Sequence, residues 1–280
     1  MAGPYPAPLP EKSHWSAVLC GVIPEPMLNT IRHGDPALPP LVIVHGLYGQ
    51  AKNWTRIARG LSDIRHVVAV DQRNHGASPW GDSHGYDDMA ADLAKVIEEI
   101  DRPVDVVGHS MGGKASMMLA LTRPELVQRL VSADMAPVAY DHDHQSGYID
   151  AMKSVDLGAV AKRSDAAKLL AASVDDPVLQ SFFTQSLDMK EKRWLLNLDV
   201  LGREMPKILG WPDPKGQFEG PTLFLSGAKS DYVTPEMRKP IRELFPRARF
   251  AKIADAGHWL HAEKPDAFEA TLRAFLTAEA

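Results

Sequence analysis

The residue most suited to chemistry is Ser110, which stands in Gly108-His109-Ser110-Met111-Gly112, a G-x-S-x-G pattern. A serine hydroxyl becomes a nucleophile when a neighbouring base takes its proton, and acyl transfer is the chemistry it then performs. Composition alone produces this pattern in roughly one chain in ten of this length. The surroundings make it informative. It begins where the apolar run VDVV ends and leads directly into GKASMMLAL, and strand–turn–helix is the setting in which such a serine is pushed out from the backbone. Small residues two places to either side are required, because a side chain there would collide with the adjoining backbone. The plain alternative is a glycine-flanked serine in an ordinary loop.

A base and an anion site must accompany the serine. Among eleven histidines, His258 follows a strand pattern, lies in Asp255-Ala256-Gly257-His258-Trp259 and precedes the last helix. That matches the chain order serine, acid, histidine. His261 is the competing base. The negative charge of a tetrahedral intermediate needs fixed N–H donors: the amide of Met111 is one, and Leu47, after His45-Gly46 in HGLYG, supplies the other. His75, in DQRNHG (71–76), reads as part of a structured turn in which Asp71, Arg73 and Asn74 bond the backbone. The pairs His142/His144 and His258/His261 have no Cys or Glu-rich company, so neither a metal nor an organic cofactor is expected.

The acid is less direct. The usual G-x-x-D position reads Gly227-Ala228-Lys229-Ser230, with serine in the carboxylate's place and Asp231 one residue late. Asp134, ending the strand after the elbow helix in SADMAP, is the preferred acid, and Asp231 is the alternative. Ser230 would then hydrogen-bond within the acid–base pair.

These residues need a scaffold. Short apolar runs alternate with segments of helical period, the pattern of a mostly parallel sheet covered by helices. Strands are expected at 41–45, 66–71, 104–109, 130–134, 222–227 and 249–253, with two more within 14–33 turning at Pro24-Glu25-Pro26. An α/β fold with an eight-stranded sheet follows. Helices are expected after Trp54, over 86–100 and 111–122, after Thr234-Pro235, and at the C-terminus through Phe268, Leu272, Phe275 and Leu276. Residues 138–215 break the rhythm. They carry no strand pattern but several helix starts: Ser164, Asp176-Pro177, and Asp188 with Glu191 as a capping box. They read as a helical cap inserted between the core segments 1–137 and 216–280.

The 280 residues carry a formal charge of −5 and one cysteine, Cys20. No basic excess points to nucleic acid or an anionic membrane. The Pro-rich MAGPYPAPLPEK reads as an extended arm rather than a signal peptide, and a soluble, cytoplasmic protein is expected.

Taken together, HGLYG, DQRNHGASP, GHSMGGK with Lys114, the Asp-x-x-Pro of SADMAP and GHWLHAEKP resemble the α/β-hydrolase esterases grouped with abhydrolase-domain protein 11 and its bacterial relatives. In that group serine also tends to follow the seventh strand, with the strand-six aspartate as acid, which supports Asp134. Relatives commonly read HGLFG, so Tyr48 departs from them at the pocket entrance. The resemblance implies a carboxylesterase for small or short-acyl esters. Thioester, lactone or C–C bond hydrolysis on the same groups is the alternative, with a lipase or a non-catalytic binding module behind it. Dehalogenase and epoxide hydrolase chemistry use an aspartate at the elbow, where this chain has Ser110.

Overall fold

A computed structural model describes residues 27–141 and 144–279. The expected N-terminal arm, Cys20, His142 and the first of the two strands placed within 14–33 lie outside the described residues. The second of those strands is present as β1 (Thr30–His33).

The runs richest in β-branched and aliphatic residues form the central strands. PLVIV (β2, Pro40–Val44) and HVVAV (β3, His66–Val70) are buried along their whole length, as strands covered on both faces must be. With β4 (Val104–His109), β5 (Val127–Ala133), β8 (Thr222–Gly227) and β9 (Ala248–Ile253), they make a sheet ordered β1-β3-β2-β4-β5-β8-β9, parallel except at the β1 edge. Among the described residues this sheet thus has seven strands, not eight.

Alternate side chains sort to opposite faces. Leu41 and Ile43 pack with α1 (Thr55–Leu61) and α11 (Pro265–Thr277), whereas Val42 and Val44 pack with α2 (Tyr86–Ile100) and α3 (Met111–Thr122). The stripes Ile57, Ala58, Leu61 and Phe268, Leu272, Phe275, Leu276 are buried, as the helical period requires.

Register places the functional residues. Val44 pairs with Gly108, His109 with Ala133, and Ala133 with Leu225. The residues just beyond these strands, His45, Ser110 and Asp134, therefore emerge along one edge of the sheet. The chain runs outward from β2 to β3 and then returns to β4 on the other side of β2. Loops part at such a reversal and leave a crevice at the carboxyl ends of the strands.

Between β5 and β8 lie α4 (His144–Lys153), α5 (Arg163–Leu170), α6 (Pro177–Thr184), a short hairpin of β6 (Leu187–Asp188) and β7 (Arg193–Trp194), α7 (Leu198–Arg203) and α8 (Met205–Leu209). Asp176 caps α6 through the Val178 amide, with Pro177 in the first helical position. Two expectations need correction. Asp188 opens no helix: its carboxylate takes the amides of Lys190 and Glu191 and turns the β6–β7 hairpin. An aspartate accepting amides two and three residues on serves a turn as well as a helix start, so the two share a sequence signature. The start of α5 is also one residue earlier than Ser164, with Asp165 holding the Lys162 amide. After β8, Thr234-Pro235 opens a single 3₁₀ turn before α9 (Arg238–Leu244). α10 (Leu260–Glu263) follows the His258 loop.

Candidate active site

The elbow is strained, and its glycines explain how it closes. Ser110 has φ 53° and ψ −123°, a conformation that a side chain adopts only when the surroundings enforce it. A Cβ on Gly108 would lie 2.2 Å from the Gly112 carbonyl oxygen, and one on Gly112 would lie 2.4 Å from the carbonyl oxygens of Val44 and His45. At the first point the end of β4 meets the start of α3, and at the second the start of α3 meets the end of β2. Across the crevice, a Cβ on Gly46 would approach the Ser110 Cβ to 3.0 Å, so the HGLYG loop is packed directly on the elbow. This puts Leu47 beside Ser110. Met111 opens α3, where the amide precedes the first intrahelical acceptor.

His258 bridges the serine and a carboxylate. Its Nε2 lies 3.0 Å from Ser110 Oγ and its Nδ1 2.7 Å from Asp134 Oδ2. Asp134 is fully buried and has two further donors: the Ser230 hydroxyl at 2.5 Å and the Gly227 amide at 3.2 Å. A buried carboxylate needs this many partners, since an unpaired charge there is costly. Asp231 is exposed and borders the mouth of the cavity. The structure brings together Ser110, His258, Asp134 and Ser230, and leaves Asp231 turned to solvent.

The comparisons with known proteins agree in one direction. The α/β-hydrolase fold family matches residues 39–265. The chain is 38% identical over 263 residues to a mouse protein named sn-1-specific diacylglycerol lipase ABHD11, covering 90% of this chain and 86% of that one. It is 36% identical to esterase YbfF of Escherichia coli, covering 85% and 92%. A solved marine microorganism esterase superposes with a TM-score of 0.86 at 35% identity, covering 90% of this chain and all of the other. The chain belongs to the α/β-hydrolase fold family.

Around the candidate triad, this α/β-hydrolase places groups that sequence reasoning did not single out. The Tyr232 ring stacks on His258 at 4.0 Å, and Trp259 meets it edge-on. Burial, reinforced by Asp134 and Asp231, pushes the Tyr232 phenol up to about 12. His109 Nε2–H donates to the His258 carbonyl at 2.9 Å, pinning the loop that carries His258. His261, the competing base, instead stacks on Trp54 at 4.2 Å, and burial lowers its pKa to about 3.

The turn after β3 holds the HGLYG loop. His75 Nε2 accepts the Tyr48 amide while its Nδ1–H donates to the Arg73 carbonyl. His45 Nε2 likewise accepts the Gln72 amide. Asp71 takes the amides of Ala51 and Ala77, and Asn74 bonds the Ser83 carbonyl and the Gly81 amide. The Arg73 guanidinium pairs with Asp88 and Asp92 and donates to the Ser83 hydroxyl. The Tyr48 hydroxyl donates to the Gln145 carbonyl at 2.9 Å, joining the loop to α4.

Lys114, one turn along α3, is buried. Its ammonium donates to the carbonyls of Leu209 and Gly210 and lies over the rings of Tyr140 and Tyr86. Burial lowers its pKa to about 7. No signal short of the fold pairs Lys114 with the end of α8, 95 residues away. Among the described residues no helix is long and apolar enough to cross a membrane, and no group of three His, Cys, Asp or Glu is arranged to hold a metal ion.

Proposed function

We propose that this chain is a serine carboxylesterase for small or short-acyl esters, with Ser110 as nucleophile, His258 as general base and Asp134 as the acid that orients it. The observation that carries the reading is the unbroken row from Asp134 Oδ2 through His258 to Ser110 Oγ, set on the strained elbow. His258 takes the Ser110 proton as Oγ bonds to the ester carbonyl carbon. The amides of Leu47 and Met111 receive the developing oxyanion. When the carbon–alkoxy bond breaks, His258 returns the proton to the leaving oxygen, and the Ser110 acyl ester remains. A water deprotonated by the same imidazole then releases the carboxylic acid. No step calls on a metal or an organic cofactor.

Asp134, held by Gly227 and Ser230, keeps the His258 Nδ1–H directed at a carboxylate and stabilises the imidazolium. Residues 138–215 act as the cap: Tyr148, Leu179, Phe182 and Phe183 from this segment wall the cavity above Ser110. The relatives' names, a lipase in mouse and an esterase in E. coli, support ester hydrolysis.

The test is turnover of p-nitrophenyl esters by the purified protein and by Ser110→Ala. Hydrolysis in the parent, lost by about five to six orders of magnitude in the variant, is expected. Turnover confined to thioesters would move the reaction class, and ester turnover indifferent to Ser110→Ala would remove the serine mechanism.

A further inference from the structure

Two cavities diverge from Ser110. The larger, about 340 Å³, is bordered by His258 and by the rings of Trp259, Phe182 and Phe183. The smaller, about 40 Å³, is bordered by Met111, Met135, Tyr140 and Ile208 and floored by Lys114. Leu47, Ser110, Gln145 and Tyr232 border both, so the serine stands at the divide.

Acyl-transfer chemistry assigns the two spaces. The leaving oxygen must lie within hydrogen-bond reach of the imidazole that reprotonates it, and His258 borders the larger cavity but not the smaller. The acyl substituent leaves the same carbonyl carbon in a different direction from the leaving oxygen, and the smaller cavity is the other space that Ser110 borders. With the carbonyl carbon on Ser110 Oγ, the alcohol half of an ester enters the larger cavity and the acyl substituent the smaller. Resting on the esterase reading above, we infer that the preferred substrates join a short acyl group to a bulky apolar alcohol, and that Met135 and Ile208 set the acyl limit.

The volumes give the size. The smaller cavity has room for about three water-sized groups, which suits acyl chains from acetyl to butyryl. Its floor resists widening, because the Lys114 ammonium is tied to two backbone carbonyls. Met135 is buried and bears on the elbow helix, where a Cβ on Gly113 would lie 3.1 Å from the Met135 Cβ. Ile208 is buried on α8. The larger cavity offers aromatic faces to a long or ring-bearing alcohol.

Octyl acetate and methyl nonanoate are isomers that place the same carbon chain on opposite sides of the ester, so they separate the two cavities at nearly constant hydrophobicity. The parent should prefer octyl acetate by roughly 100-fold in kcat/KM. Met135→Ala and Ile208→Ala, each deepening the smaller cavity, should cut that preference about tenfold by raising methyl nonanoate turnover. If one variant fails to fold, the other and the parent ratio still decide. Ser110-dependent turnover with methyl nonanoate equal or preferred overturns the assignment and leaves the esterase reading standing. Absence of Ser110-dependent turnover of both isomers and of p-nitrophenyl acetate overturns both.

Discussion

The rim of the sheet and the segment between β5 and β8 are held together in different ways. At the rim, His45, Gln72, Asn74, His75 and Asp134 are almost wholly buried, and each has named hydrogen-bond partners. The backbone there takes unusual conformations at Tyr48, Asn74, Ser110 and Asp134, all at positive φ. Residues 138–215 use helices of five to ten residues, with side-chain caps at Asp176 and Asn197 starting α6 and α7 and positive φ at Lys192 and Asp213, outside the helices. Their apolar face joins the same core as α2 and α3, while Leu169 and Val178 remain 46% and 68% exposed. Strain and buried polar groups persist only where the surroundings over-determine them. The rim is therefore built to fix angles, and the segment above it to supply surface.

That contrast places the largest effect in a single atom at the rim. Asp134→Asn keeps the shape but replaces the acceptor of the His258 Nδ1–H, and should lower kcat by roughly four orders of magnitude. Asp231→Asn, at the exposed mouth, should stay within about threefold. Steady-state rates on one short ester compare the two directly. A loss confined to Asp231→Asn would transfer the acid role and undo the account of the rim.

A second effect is acid sensitivity. Burial holds His84 and His261 at about 3 and lowers His45, His75 and His109 as well. The unfolded chain's histidines protonate near 6.5. As pH falls from 6.5 towards 3, the unfolded state therefore binds protons that the folded rim refuses, and stability falls with pH. Each such histidine contributes up to about 1.4 kcal/mol per pH unit. Nδ1 of His261 has no hydrogen-bond partner among the described residues, so His261→Phe sacrifices no bond at that atom. Urea unfolding between pH 6 and 4 should show the variant losing stability less steeply, by about one proton. An unchanged slope would mean that His261 charges inside the fold.

The smallest effect belongs to the segment. Asp176→Ala removes the cap of α6, whose Leu179, Phe182 and Phe183 line the cavity, at a cost of about 1 kcal/mol. Hydrogen exchange should speed up in α6 while the rim amides keep their protection, and KM should rise a few-fold with kcat steady. A comparable fall in kcat would mean that this helix also positions the rim.

How far the sequence reaches depends on the range of the interactions involved. The elbow was legible because part of its cause is local: a side chain at 108 would meet the carbonyl of residue 112 wherever a strand turns that sharply into a helix, while Gly112 is also required by the approach of β2. His258 was legible through chain order, and the strands and long helices through period. Asp134 was preferred as the acid with Asp231 kept as the alternative, because which of them reaches His258 depends on where β5 and β8 lie side by side. The β6–β7 hairpin was missed because an Asx turn and a helix cap look alike over four residues.

What the sequence determined by itself was the α/β alternation, the elbow and the place of His258 after the last strand, matters of period, of contact between near neighbours and of chain order. Only the tertiary structure decided that the Gly227 amide joins Ser230 on Asp134, that Tyr232 stacks on His258, that His109 pins the His258 loop and that Lys114 anchors the end of α8. Those pairings join residues 93 to 149 positions apart where they bond. They exist because a twisted parallel sheet brings the ends of non-consecutive strands to one edge, an outcome of strand order and register that no local pattern encodes.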